Sequence, residues 1–419
     1  MEKKYVAKGR IDLIKESCLK NGIRLVTENM SYVNSISIGF WIKIGSRNEE
    51  QNLQGITHFV EHLLFKGTEK RTAKQIAEEL EAVGGTLNAF TSREHTCIYA
   101  RVLKDDIGLA IDILSDMMLN SCFREEDIKK EKNVVFEEIM MYEDTPDDII
   151  HDIFTQQVWH GHSLGRAILG TKKTVSEYNR EDILNYYKDF LVPENIIISA
   201  AGNLDHERLE EQLNLLLEKI IYKSAKKITG DKPTFIKMEH SKCKDIEQMH
   251  ICLGTKGLHQ SSEDLYPLMV FNNLLGGGVS SKLFQSVRED MGLAYSIYSY
   301  LTVYSDAGLF VIYAGTAPKN SKKIIDEMYK QIQSLNKKEV SLDEVERSKN
   351  QLKGSILLNM ENVSRRMNRL GRTMITHGRV ITAEEVIDNI SKVTLDDVYK
   401  LEKHLTDFEN YSLVTIGPN

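Results

Sequence analysis

The chain is expected to adopt an α+β fold, built as two homologous domains with a mostly antiparallel sheet and helices packed on one face in each. Three observations lead there. Strand-like segments follow one another in quick succession and long helical segments come after them, which favours a sheet with segregated helices over a βαβ alternation. The same order of segments runs twice, in two blocks of about 200 residues each. A length of 419 residues exceeds what one hydrophobic core usually serves, so two cores are the expectation.

Each element has its own reason. Asn34 to Ile44 is rich in β-branched and aromatic residues and opens the first block. A helix follows over Ile56 to Thr68, because Ile56, Phe59, Val60, Leu63 and Leu64 keep the i, i+3, i+4, i+7, i+8 spacing of one apolar stripe. Thr86 to Thr91 and Thr96 to Leu103 are extended, Asp105 to Leu119 and Glu125 to Met141 are helical, and Ile196 to Ala201 closes the block as a strand. The second block answers with Gln248 to Thr255, an apolar helix from Leu268, strands Ala294 to Tyr304 and Gly308 to Ala314, helices Ser321 to Leu335 and Leu342 to Met360, and a last strand Tyr411 to Ile416. A polar, lysine-rich stretch separates them. The expected division is 1–218, a linker 219–244, and 245–419.

One segment carries chemistry on its face. Residues 58–62 read His-Phe-Val-Glu-His, an H-x-x-E-H motif inside the first helix. At about 100° per residue, His58 and His62 lie one turn apart and about 40° apart around the axis, so both can grip one metal ion. Glu61 projects from the neighbouring edge, within reach of a water at such a metal. This is the inverted zincin pattern, with two ligands and a general base from one helix. A histidine pair needs a further protein donor, commonly a carboxylate. Glu131 and Glu138 stand seven residues apart in a segment without Gly or Pro and share a helical face, whereas Glu137 points about 120° away from Glu131. Glu138 is assigned as the third ligand and Glu131 as the acceptor that orients a ligand histidine.

Three segments in order, GITHFVEHLLFKGT from Gly55, GGTLNAFTSREHT from Gly84 and EKNVVFEEI from Glu131, resemble the catalytic half of the pitrilysin family. That family includes insulin-degrading enzyme and the β subunit of mitochondrial processing peptidase, and the pattern is closest to bacterial members like the latter. The resemblance runs through nearly the whole chain. It implies zinc bound by His58, His62 and Glu138, Glu61 as the base, Glu131 near the metal, and the same duplicated architecture. It also places Asn88 and Ala89 on a substrate-binding edge.

The repeat decides how many metal sites to expect. Registering the two apolar helices puts Met269, Asn272 and Asn273 where His58, Glu61 and His62 stand, with Ser355 opposite Glu138. One zinc ion per chain follows. The second block has a run Gly276, Gly277, Gly278 that does not match a phosphate-binding loop and reads as a turn or a close backbone contact. On content alone, Arg288 is a surface ion-pairing residue and Tyr295 a core aromatic. The family resemblance implies instead that this pair binds peptide and stabilises the oxyanion of the tetrahedral intermediate.

Other classes fare worse. Gly161-His162-Ser163-Leu164-Gly165 matches G-x-S-x-G, but that elbow needs a strand before the serine and a helix after it, and the preceding residues have helical periodicity. A non-catalytic subunit of the family would show a broken H-x-x-E-H. A net charge of −7 excludes the basic footprint of a non-specific nucleic-acid binder. Five scattered cysteines form neither a disulfide framework nor a C-x-x-C pair, the first residues lack an apolar leader core, and no run is long enough to span a bilayer. A cytoplasmic protein is expected.

The expected activity is zinc-dependent hydrolysis of peptide bonds in short or unfolded peptides, which add as a strand to the edge formed by Thr86 to Thr91. The resemblance implies an enclosed chamber of four such domains. A two-domain chain then needs a partner, and a homodimer suffices, with Arg288 and Tyr295 serving the partner's zinc site. No nucleic acid or membrane partner is expected.

Overall fold

The computed structural model describes residues 13–220 and 232–418. Residues 1–12, where no leader is expected, and most of the lysine-rich part of the expected linker fall outside the described residues. Among those described, no helix is long and apolar enough to cross a membrane.

The chain forms two compact units. The first comprises 1–139, 167–229 and 358–381, and the second 140–166, 230–357 and 382–419. The first holds a six-stranded sheet of β1 (Ile14–Cys18), β2 (Arg24–Asn29), β3 (Ser35–Ile42), β4 (Thr86–Thr91), β5 (Thr96–Leu103) and β6 (Ile196–Gly202), in the order β1-β2-β6-β3-β5-β4. The second holds β7 (Glu239–Cys243), β8 (Met249–Lys256), β9 (Ala294–Val303), β10 (Gly308–Thr316) and β11 (Ser412–Gly417), in the order β7-β11-β8-β10-β9. Leaving β1 aside, the two orders correspond strand for strand. Each sheet has one parallel pair, β2 with β6 and β7 with β11, and is otherwise antiparallel. The end of the expected linker is thus strand β7, whose polar sequence EHSKC suits a solvated sheet edge.

Helices lie on one face of each sheet, and the other face is covered as well. Central strands such as IIISAAG and GLFVIYAGT are buried along their whole length, which explains why they read as continuous apolar runs rather than alternating ones. In the first unit, Val26, Trp41, Cys97 and Ile197 meet Met367, Leu370 and Met374 of the helix Val363–His377, which comes from far down the chain. In the second, Cys252, Val311, Tyr313 and Ile416 meet Ile150, Phe154 and Val158 of the helix Pro146–Val158, which comes from before the linker. The compact units are therefore not sequential blocks, since each takes one helix from the other stretch of sequence. Glu28 and Arg366, both buried, form an ion pair that fixes the incoming helix on the first sheet.

Two sequence readings find physical form in the second unit. The residues before Ser163 are helix, not strand, and Ser163–Gly165 is a single 3₁₀ turn, so the serine-elbow geometry is missing. Gly276 ends the helix Leu265–Gly276 against β9, where an added Cβ would come 2.3 Å from the Ser299 amide nitrogen. The glycine run is a close backbone contact at that point.

Candidate metal centre

The motif segment forms a nine-residue helix, Ile56–Leu64. So short a helix depends on packing and on its ends. Its apolar stripe is buried to the last residue in the main core of the first unit. At its start, Gly55 has φ of +93°, and an added Cβ would meet the Gly170 backbone at 2.6 Å, so only glycine serves. The carboxylate of Glu49 accepts hydrogen bonds from the Gly55 and Thr57 amides (2.7 and 2.9 Å), placing negative charge at the positive end of the helix dipole.

This anchored helix presents His58 and His62 side by side, with ring centroids 4.4 Å apart. The helix Glu125–Glu143 brings Glu138 against both: its carboxylate oxygens lie 3.7 Å from His58 Nε2 and 3.5 Å from His62 Nε2. Tetrahedral zinc with bonds of about 2.0–2.1 Å holds neighbouring donors about 3.3 Å apart, so this set is within a few tenths of an ångström of closing on the ion. Nitrogen and carboxylate oxygen are also zinc's own donor types. Among the described residues, His58, His62 and Glu138 are the one group of three such side chains that converge in this way. Glu137, one residue earlier, is exposed and does not take part.

Glu131 is buried two turns earlier on the same helix. Its Oε1 lies 2.8 Å from His62 Nδ1, which fixes the tautomer with the proton on Nδ1 and leaves the Nε2 lone pair facing Glu138. Lys66 Nζ holds the other oxygen of Glu131 at 2.6 Å. The electrostatics follow from these contacts. Burial, with the neighbouring His62, lowers the His58 pKa to about 3, so this ring is neutral and ready to ligate. Burial opposes the charge on His62 too, but the hydrogen bond to Glu131 and the nearby carboxylates outweigh it and raise that pKa. For Glu131 the cost of burial is likewise outweighed, here by His62 and Lys66, and its pKa falls.

Glu61 stands beside the cluster. Burial raises its pKa above the ordinary carboxylate range, partly offset by Thr91, whose hydroxyl donates to Oε2 at 2.5 Å. Thr91, Lys66 and Glu49 did not emerge from motif reasoning. Only Lys66 left a trace in the sequence, standing one turn beyond His62.

A family model described as Insulinase (Peptidase family M16) matches residues 24–172, and one described as Peptidase M16 inactive domain matches residues 177–352. The chain belongs to peptidase family M16. It is 42% identical over 410 residues to a Bacillus subtilis protein named uncharacterized zinc protease YmxG, covering 97% of this chain and 99% of that one. A zinc protease of Streptomyces coelicolor, also named as uncharacterized, is 37% identical over 418 residues, covering 97% and 90%. The crystal structure of a protease from Helicobacter pylori superposes with a TM-score of 0.91 at 21% identity, covering 97% and 99% of the two chains, and shares the fold.

In this M16 chain the boundary between the two family models falls between residues 172 and 177, and the metal cluster lies wholly in the first. Asn88 and Ala89 lie on β4, which ends its sheet with one side unpaired. In the second unit Tyr295 lies on the edge strand β9 and Arg288 on the short helical segment Phe284–Asp290 that precedes it. There Arg288 Nη1 donates to the Tyr295 carbonyl at 2.6 Å, and its guanidinium carbon sits 5.0 Å from the Tyr295 ring centroid. Tyr295 is 78% exposed, so it is not the core aromatic that its residue type alone would suggest.

Proposed function

We propose that this M16 chain is a zinc endopeptidase, with zinc held by His58, His62 and Glu138 and Glu61 as the general base. The cofactor is zinc, as the M16 relatives' names state for those proteins and the donor set of this chain suits. The observation that carries the reading is the placement of a half-buried, one-sidedly tethered carboxylate, Glu61, on the same anchored helix as His58 and His62 and beside the three donors that converge when Glu138 joins them from the helix Glu125–Glu143. When bound, the metal supplies Lewis-acid activation of water and of the scissile carbonyl. Glu61 takes a proton from the attacking water and delivers it to the leaving amine nitrogen. Glu131 keeps the His62 ring in its ligating orientation, and Lys66 keeps Glu131 ionised.

Substrate enters as an extended strand along the free edge of β4, over Asn88 and Ala89. Main-chain pairing admits short or unfolded peptides and excludes folded proteins, which offer no free strand. Arg288 and Tyr295 bind peptide and stabilise the oxyanion in a neighbouring copy, so the working form is a homodimer enclosing the peptide. The five unpaired cysteines support a reducing, cytoplasmic setting.

Glu61→Gln tests the core of this reading. It keeps the shape and the ligands and removes the proton acceptor, so zinc content should stay at one per chain while peptide cleavage falls by roughly 10²–10⁴-fold. Cleavage near the parent rate would end the assignment.

A further inference from the structure

Side chains alternate along β4. Leu87 and Ala89 pack against the core that holds the motif helix, whereas Phe90 turns to the opposite face beside Trp41 and Tyr99. Thr91 therefore shares a face with Leu87 and Ala89, at the end of the strand where the helix presents Glu61. Its hydroxyl fixes Glu61 Oε2, and no described residue donates to Oε1. The two oxygens of the base are thereby made unequal: one is tethered and the other is left for the proton.

The backbone alternates as well. Ser92 N–H donates to the His95 carbonyl at 2.8 Å, toward β5, while Ala89 N–H donates to its neighbour's Asn88 Oδ1 at 2.8 Å. Counting by twos, the main-chain groups of Asn88, Phe90 and Ser92 face β5, and those of Leu87, Ala89 and Thr91 face the free edge. Thr91 thus has its peptide groups on the edge open to an added strand and its hydroxyl on the base. The turn just beyond it is firmly held. Ser92 Oγ bonds the His95 carbonyl (2.7 Å) and amide (3.0 Å), Arg47 pairs with Glu94 (2.7 Å), and the Arg47 amide bonds the Arg93 carbonyl (2.9 Å).

We propose that Thr91 is a positioning residue that couples a peptide strand lying on β4 to the aim of Glu61. The inference rests on the reading of Glu61 as the base. A strand paired to the Thr91 main chain fixes that residue, and through its hydroxyl fixes the carboxylate, so binding along the edge is converted into alignment at the reacting centre. The effect belongs in kcat more than in KM.

Two measurements test it on the full zinc-loaded chain. Thr91→Val removes the hydroxyl at nearly constant shape. Zinc content should be unchanged and KM for an extended quenched-fluorescence peptide should stay within about twofold, while kcat falls about 10–100-fold, the cost of misplacing a reacting group. Thr91→Ser should restore most of that loss. The second measurement leaves Thr91 intact: hydrogen exchange on Glu61→Gln, with and without the same peptide, should show new protection at the Leu87, Ala89 and Thr91 amides. A parent-like kcat in Thr91→Val, a loss that serine does not restore, or a Thr91 amide indifferent to peptide would each overturn the coupling. Activity of Glu61→Gln separates the two levels. If that variant is dead while Thr91→Val is normal, only the coupling fails; if it cleaves normally, the base assignment itself has failed.

Discussion

Asn273 Nδ2 donates to Ser348 Oγ across 3.0 Å in the second unit, and these two residues stand where His62 and Glu131 stand in the first. Ser348 precedes Ser355 by seven residues, as Glu131 precedes Glu138. The second unit thus makes the same helix-to-helix contact without the metal-ligating side chains. An amide and a hydroxyl are neutral and need neither a cation nor a proton to balance them, so the contact serves as plain packing glue. It locates the difference between the two units in a few side chains on a shared frame.

The carboxylates of the Glu125–Glu143 helix should separate cleanly in metal content. Glu138→Gln should lose zinc by well over tenfold and Glu131→Gln by about 10–100-fold, since it orients a ligand rather than binding the ion. Glu137→Gln should keep the metal. Zinc retention measured after dialysis decides this, and a loss that tracked Glu137 would contradict the geometry.

Zinc uptake should depend on pH through His62 and not through His58. In the metal-free protein the His62 pKa is raised above 6.5, so a proton competes for Nε2 as pH falls through that value. His58, at about 3, is already neutral. Affinity should therefore weaken as pH falls through the raised His62 pKa, and uptake below it should release about one proton per ion. Glu131→Gln removes the partner that raises the His62 pKa and should move the window to lower pH. Titrations in buffers of different ionisation enthalpy measure the proton release directly.

Acid should destabilise the first unit through His95. Burial between Trp41 and Phe90, with the positive charge of Arg372 nearby, lowers its pKa to about 4. Between 6.5 and 4 the unfolded chain binds a proton that the folded chain refuses, so stability falls as pH drops through this range and levels off below it. His95→Phe should flatten the dependence of Tm on pH there. An unchanged slope would mean that other groups govern the acid transition.

Subunit mixing tests whether a neighbouring copy completes the site. Arg288→Ala and Glu61→Gln proteins should each be nearly inactive alone. After exchange, about half the dimers are mixed and each holds one intact site, so activity should return to roughly a quarter of the parent value per site. No recovery after demonstrated exchange would show that the pair acts within its own chain.

Much of this was legible in the residues. The H-x-x-E-H register and the Glu131–Glu138 spacing are local and periodic, so helix geometry alone picked out His58, Glu61, His62, Glu131 and Glu138. Thr86 to Thr91 was readable as an edge strand for the same reason. What stayed hidden was nonlocal. Nothing in the spacing shows that Glu49 caps the motif helix or that Thr91 reaches Glu61, because both contacts exist only after distant segments meet. Strand β7 was hidden by its polarity, since an edge strand lacks the apolar signal on which strand detection rests. The exposure of Tyr295 contradicts its residue type because strand β9 leaves one side open.

The traded helices make the polypeptide inseparable at its midpoint. A fragment ending at residue 218 would lack the helix Val363–His377 and bare Val26, Met30, Trp41 and Ile197, each worth about 1.5–3 kcal/mol in burial. The complementary fragment would bare Val311, Tyr313 and Ile416 by losing Pro146–Val158. Severed halves made apart would be sticky and poorly folded, yet made together they could knit through the same two surfaces. The chain carries two similar frames, and each is completed only by a helix from the other stretch of sequence.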